Sequence, residues 1–176
     1  MGQNDAAFFA GKFLFGIAVL FIIFSYLLSL VPQVWFGMFY ANAALAALQP
    51  FGISGTVENS DPVQLRLGQL NDPLGFGYLC TGILEMALVW AAVLATPSVG
   101  LRERIRGAAA AVGVIAAFNL LRIVATILIL VSLGLGAASF SHDIFFRMFL
   151  FLTIAGYYYA WLRFAKGATI SKTTRP

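Results

Sequence analysis

Three side chains in this sequence have the chemistry of a reaction centre if the fold brings them together: Cys80, Arg122 and His142. The cysteine and the histidine are the only ones among 176 residues. A thiol beside an imidazole makes a nucleophile with its base, and a guanidinium beside both can hold a carbonyl or the oxyanion of an acyl-transfer intermediate. Cys80 opens the run Cys80-Thr81-Gly82-Ile83 ahead of an apolar stretch. There the free amides and dipole of a helix N-terminus would favour thiolate over thiol; the other reading of a lone cysteine is a buried, inert, apolar residue.

Arg122 interrupts the apolar run Asn119-Leu120-Leu121-Arg122-Ile123-Val124. An arginine well inside a span costs at least about 2.5 kcal/mol, so something must offset it. Asn119 lies one turn away on the same face, and Glu85, in the preceding apolar stretch, is a candidate partner. One reading is a Glu85–Arg122 ion pair that locks two helices; the other is a guanidinium that meets a substrate carboxylate or carbonyl. His142 sits in Ser141-His142-Asp143 just before the last apolar stretch. Imidazole is the side chain suited to moving protons near neutral pH. A histidine at a membrane boundary is by itself an ordinary interfacial residue, but its shared depth with Cys80 and Arg122 favours the chemical reading. Arg147 follows Asp143 by four residues, the spacing of a helical ion pair, and ranks as a supporting residue.

Other chemistries are excluded. A single cysteine rules out internal disulfide exchange, and with one histidine it leaves no zinc cluster of thiolates and imidazoles. A Gly-rich phosphate loop and a pair of intramembrane aspartates are both missing from the sequence.

The elements that must position these residues are membrane helices. Hydrophobic residues make up 61% of the chain and charged ones 10%, a balance no water-soluble domain shows. The expected fold is all-α, a polytopic helical bundle forming one domain over 1–176. About four spans are expected, at about 13–31, 80–95, 107–135 and 144–162, each long enough at roughly 1.5 Å per residue to approach a hydrocarbon layer of about 30 Å. The third is overlong and must tilt, kink or protrude. Val34 to Leu48 is apolar but only about 15 residues long, and is read as an interfacial or re-entrant helix. The loop 50–79 is punctuated by Gly52, Gly55, Pro62, Gly68 and Pro73, and its alternating run Val63-Gln64-Leu65-Arg66-Leu67 reads as a small hairpin on the membrane surface.

Orientation follows from the cations, because short loops rich in Lys and Arg stay cytoplasmic. Lys12 precedes the first span, Arg102, Arg104 and Arg106 lie between the second and third, and Arg163, Lys166, Lys172 and Arg175 follow the fourth. Both termini are therefore expected inside the cytoplasmic membrane. The opposite loops hold Glu58, Asp61, Asp72 and Asp143 with Arg66 as their cation, which puts Cys80 and His142 near the outer face. A crossing by Val34–Leu48 would invert the later loops against this rule. The first apolar run is too long for an ordinary signal peptide and reads as an uncleaved span. Ala6, where a myristoylation signal after Met1-Gly2 wants Ser or Thr, gives no support for lipidation. Trp35, Tyr78, Tyr157, Tyr158, Tyr159 and Trp161 fit interface anchoring.

Cys80-Thr81-Gly82-Ile83, Asn119-Leu120-Leu121-Arg122-Ile123 and His142, in this order, resemble the exosortase and archaeosortase family of polytopic membrane transpeptidases. The family shares a Cys-Ser/Thr-Gly-Ile run, an Asn-x-x-Arg-Ile run one helix later, and a histidine or arginine before the last helix. The match covers roughly the C-terminal hundred residues; the chain is shorter than the family's roughly eight-span members, and both His142 and Arg147 are available for the third position, with His142 preferred. The resemblance implies a compact exosortase-like enzyme in which Cys80 attacks a peptide bond near the C-terminus of an exported protein. That protein's tail would carry a short motif, an apolar span and a basic cluster. The product would pass to a lipid or glycan acceptor of the envelope or to water. Arg122 would stabilise the oxyanion or orient the carbonyl, and His142 would move protons. No cofactor or metal is required by this scheme, membrane lipids are partners, and no nucleic acid is expected. The competing expectation is a non-enzymatic membrane carrier or assembly subunit in which Glu85, Asn119 and Arg122 form a polar intramembrane site and Cys80 is incidental.

Overall fold

The computed structural model describes residues 3–173, with side chains described for residues 8–165 except Leu79. Met1, Gly2 and Arg175, used above, lie outside the described residues, as do the side chains of Ala6, Lys166 and Lys172. The chain is an all-α membrane protein with a small antiparallel sheet. Helices are α1 (Gln3–Ser29), α2 (Gln33–Leu48), α3 (Ile83–Ala95), α4 (Leu101–Leu133), α5 (Leu135–Phe140) and α6 (Phe146–Thr173). Strands β1 (Gly55–Glu58), β2 (Val63–Leu67) and β3 (Leu74–Phe76) lie between α2 and α3.

Among the described residues, three helical stretches are long and apolar enough to cross a membrane: Phe8–Ser29, Leu101–Leu133 and Leu135–Ala165. α1 leaves Leu14, Phe15, Ile22 and Tyr26 more than 60% exposed. In water such a surface would drive aggregation, whereas hydrocarbon accommodates it while the helix satisfies its own backbone hydrogen bonds. The stretch expected as a second span is the 13-residue α3, about 20 Å long, which is shorter than a hydrocarbon layer. Its start is set by Gly82, whose φ of +72° breaks the helix that the apolar run would otherwise extend back to Cys80. The expected third span begins earlier than hydropathy suggests, because Arg102, Arg104 and Arg106 form the first turns of α4; arginine favours helix as well as leucine does. Gly134, with φ +83°, ends α4.

The chain divides into two compact units. The first comprises Met1–Leu28, Leu84–Ile115 and Thr153–Pro176. Its core is Val89, Val93, Ala111 and Ile115, flanked by Trp90, Tyr157, Tyr158 and Trp161. Trp90 and three of the aromatics expected as interface anchors, Tyr157, Tyr158 and Trp161, tie helices together. Trp90 Nε1 donates to Ala108 O at 2.9 Å, the Tyr157 hydroxyl donates to Gly107 O, and the hydroxyls of Tyr158 and Thr96 are bonded at 2.9 Å. A Cβ at Gly107 would lie 2.1 Å from Trp161 Nε1, so the indole occupies the space a side chain would take. Arg104, expected as an orientation signal, donates to Val99 O at 2.7 Å and Leu94 O at 2.9 Å, closing the turn between α3 and α4. Trp35, in the second unit, and Tyr159 stay 73% and 66% exposed, as anchors would.

The second unit comprises Ser29–Ile83 and Ala116–Leu152. Pro32, which cannot continue a helix from α1, serves as the N-cap of α2. α2 buries Gly37, Tyr40, Ala41, Ala44 and Leu48, a stripe at helical spacing made mostly of small residues. The small residues permit close approach: a Cβ at Gly37 would stand 2.9 Å from Val63 Cγ2. β2 alternates as the sequence predicts, with Val63, Leu65 and Leu67 buried and Arg66 exposed and paired with Glu58. The predicted hairpin is a three-stranded meander of order β1-β2-β3. The α2 stripe, the buried face of the sheet, and Ile123 and Ile127 of α4 share one apolar core.

Candidate functional site

The residues singled out for chemistry fall mainly in the second unit, and three separate segments deliver them to one cavity. Cys80 ends a tight 3-10 turn, Tyr78–Cys80, three residues ahead of α3. Its amide donates to Gly77 O at 2.9 Å, and the Thr81 hydroxyl donates to Tyr78 O at 2.7 Å. The thiol is therefore held by a closed turn, and the free amides of the helix N-terminus invoked from sequence belong to residues further on. Cys80 is partly exposed.

Asn119 of α4 supplies the clamp. Only 4% exposed, it donates Nδ2–H to Cys80 O at 2.8 Å. Its side chain fills the space above Gly82, where a Cβ would stand 3.3 Å from Asn119 Cγ. The Cys-Thr-Gly run and the asparagine are thus one device. Glycine supplies the left-handed backbone and the room, and the amide group ties the cysteine turn to α4.

Arg122 lies three residues further along α4, on the same face, and is 6% exposed. His142 stands in a π-helical turn, Ser141–Phe145, between α5 and α6. Such wide turns break the ordinary helical ladder and re-aim side chains. His142 Nδ1 is 3.2 Å from Asp143 Oδ1. With Nδ1–H donated to that carboxylate, Nε2 is left as the proton acceptor.

Cys80, Arg122 and His142 all line a cavity of about 140 Å³. Its remaining walls are Leu74, Gly75 and Phe76 of β3 and Ile123, Thr126, Ile127 and Leu130 of α4. The lining is mostly apolar, and a charge or hydrogen bond in such surroundings acts more strongly than in water. A thiol, a guanidinium and an imidazole lining one small cavity are the groups that could attack a carbonyl, hold the resulting oxyanion and carry the proton.

The other predicted residues stand elsewhere. Glu85 is in α3 of the first unit and is not on this wall. Arg147 is 71% exposed, 3.7 Å from Asp143 in the helical pair foreseen from spacing, and does not line the cavity. Sequence reasoning missed Thr126. Thr126 follows Arg122 by four residues, so a helical projection of the Asn119–Arg122 face would have reached it.

Fold and site together define a class: a helical membrane protein with an apolar cavity whose wall carries one cysteine, one arginine and one histidine. No protein-family model, curated protein or solved structure matches this chain.

Proposed function

We propose that this protein is a membrane-embedded cysteine transpeptidase or protease of the exosortase and archaeosortase type. It would remove C-terminal sorting signals from exported proteins and can transfer the cleaved protein to a lipid or glycan acceptor of the envelope. The observation that carries the reading is that Cys80, Arg122 and His142, distant in sequence, line the same cavity. The site is assigned to the outer face of the cytoplasmic membrane on the distribution of Lys and Arg, with both termini inside.

The steps follow from the residues. His142 takes the proton of the Cys80 thiol through Nε2, and the sulfur attacks the scissile carbonyl carbon. Negative charge moves to the carbonyl oxygen, where the Arg122 guanidinium stabilises it. As the intermediate collapses the C–N bond breaks, His142 returns the proton to the departing amine, and an acyl thioester remains on Cys80. An acceptor amine, hydroxyl or water then gives its proton to His142, attacks the thioester and restores the thiol. Asn119 acts through Cys80 by fixing its turn. The apolar cavity suits a substrate whose tail is anchored in the same bilayer and arrives by lateral diffusion.

The test is a comparison of protein C-termini by mass spectrometry in membranes of cells carrying wild type or Cys80→Ala. Exported proteins ending in an apolar span and basic cluster should keep their tails in the variant and lose them in the wild type. Identical C-termini in both would leave the cysteine incidental and favour the carrier or assembly reading.

A further inference from the structure

β3 is an edge strand, and it is also a wall of the cavity that holds Cys80. The phase of the ladder tells which of its backbone groups are unused. In an antiparallel pair, residues that exchange hydrogen bonds alternate with residues that do not. The Gly68 amide donates to Ser54 O at 3.1 Å, one pair beyond the Gly55↔Leu67 end of the β1–β2 register. Ser54 and Gly68 therefore form a bonded pair, and so do Thr56 with Arg66 and Glu58 with Gln64. Val63 and Leu65 turn their peptide groups the other way, toward β3, where they face Phe76 and Leu74. Gln64 opposite Gly75 is then the non-bonded pair. The N–H and C=O of Gly75 consequently point off the free edge, away from β2.

Gly75 is exposed, and no turn or loop hydrogen bond among the described residues uses its N–H or C=O. A donor and an acceptor side by side on a strand edge are the complement of one residue of an extended polypeptide. The same cavity carries a second group that wants a partner. The Thr126 hydroxyl is buried and makes no hydrogen bond among the described residues, not even back to its own helix.

We propose that the substrate peptide binds as a short fourth strand on the free edge of β3, exchanging hydrogen bonds with Gly75, with a polar group of the peptide meeting Thr126. This rests on the transpeptidase reading and deepens it. Recognition would be through the substrate main chain. Gly75 lies five residues before Cys80, and the turn Tyr78–Cys80 joins the edge to the nucleophile within one short segment.

The register supplies a matched pair of variants. A Cβ at Gly75 would meet its nearest atom, Pro62 Cγ, at 3.6 Å, an ordinary contact, so Gly75→Ala keeps both the fold and the outward N–H. Gly75→Pro deletes the outward N–H but no ladder bond, and an edge-strand position with its N–H turned off the sheet is one where proline is tolerated. The probes are iodoacetamide, which needs no strand pairing, and acetyl-Ala-Ala-Ala-chloromethyl ketone, whose methylene carbon bonds Cys80 sulfur as chloride leaves and the thiol proton is lost. The readout is the ratio of the two rates of Cys80 alkylation in the full-length protein in lipid nanodiscs. Gly75→Pro should lower the ratio about tenfold, the loss of one hydrogen bond in an apolar site, with Gly75→Ala unchanged. On wild type, N-methylating the probe's amides one at a time should cost a similar factor at one position at least, which tests the proposal even if the proline variant misfolds. A Cys80 that alkylates readily while the ratio ignores both Gly75→Pro and every N-methylation overturns strand addition and leaves the nucleophile intact. A Cys80 inert to both reagents overturns the transpeptidase reading and strand addition with it.

Discussion

Replacing Gly82 by alanine should damage the site through two separable effects, and a double-mutant cycle with Asn119 tells them apart. The backbone φ of +72° is left-handed, which costs an L-residue roughly 1–2 kcal/mol. The new Cβ would also stand 3.3 Å from Cγ of a buried Asn119 whose Nδ2–H is committed to Cys80 O at 2.8 Å, so the amide group must shift and the bond lengthen. Leaving a buried carbonyl short of its donor costs about 1–3 kcal/mol. We therefore expect losses of about 2.5 kcal/mol for Gly82→Ala and about 2 kcal/mol for Asn119→Ala. The double variant should lose about 3.5 kcal/mol, because the alanine at 82 no longer has an amide to displace, leaving a coupling of about 1 kcal/mol. SDS titration in mild detergent, followed by the fluorescence of the three tryptophans, reads all four corners. Strict additivity, or a Gly82→Ala variant as stable as wild type, would refute the proposed Gly82–Asn119–Cys80 device.

The same unfolding assay reaches the first unit. Gly107→Ala places a methyl 2.1 Å from Trp161 Nε1 and should cost about 1–3 kcal/mol or more by overpacking, while Gly113→Ala, with open space around it, should be neutral or slightly stabilising. Arg147→Ala breaks only the exposed pair with Asp143 and should change stability by less than about 0.5 kcal/mol, measured in the same titration.

The membrane helices and the surface sheet were legible because each has a period that hydropathy records. Val63–Leu67 reads as a strand from its alternation and is β2 residue for residue, and the apolar Val34–Leu48 is α2 with one residue added. The helix boundaries near Cys80 and Arg102 were not legible in the same way. Hydropathy reports which residues avoid water, whereas α3 starts where Gly82 reverses its backbone and α4 starts among arginines that hydropathy treats as loop. The convergence of Cys80, Arg122 and His142 was inferred from a shared depth, but the clamp that makes it geometric, a side-chain amide on a backbone carbonyl, leaves no pattern in sequence beyond the Asn119–Arg122 spacing. Glu85 was picked out by its depth, and it belongs to α3, which packs Val89 and Val93 into the core of the first unit. The unused edge of β3 was beyond sequence reading altogether, since it depends on which strand is outermost and on the phase of its hydrogen bonds.

The central claim is that Cys80 is a nucleophile supported by Arg122 and His142. The most direct measurement is the rate at which a membrane-impermeant thiol reagent labels Cys80 in right-side-out vesicles, in wild type, Arg122→Ala, His142→Ala and, as a control, Arg147→Ala. The account predicts rapid labelling near neutral pH that falls about tenfold or more in the Arg122 and His142 variants and is unchanged in the control. No labelling in wild type, or equal rates in all four proteins, would contradict it.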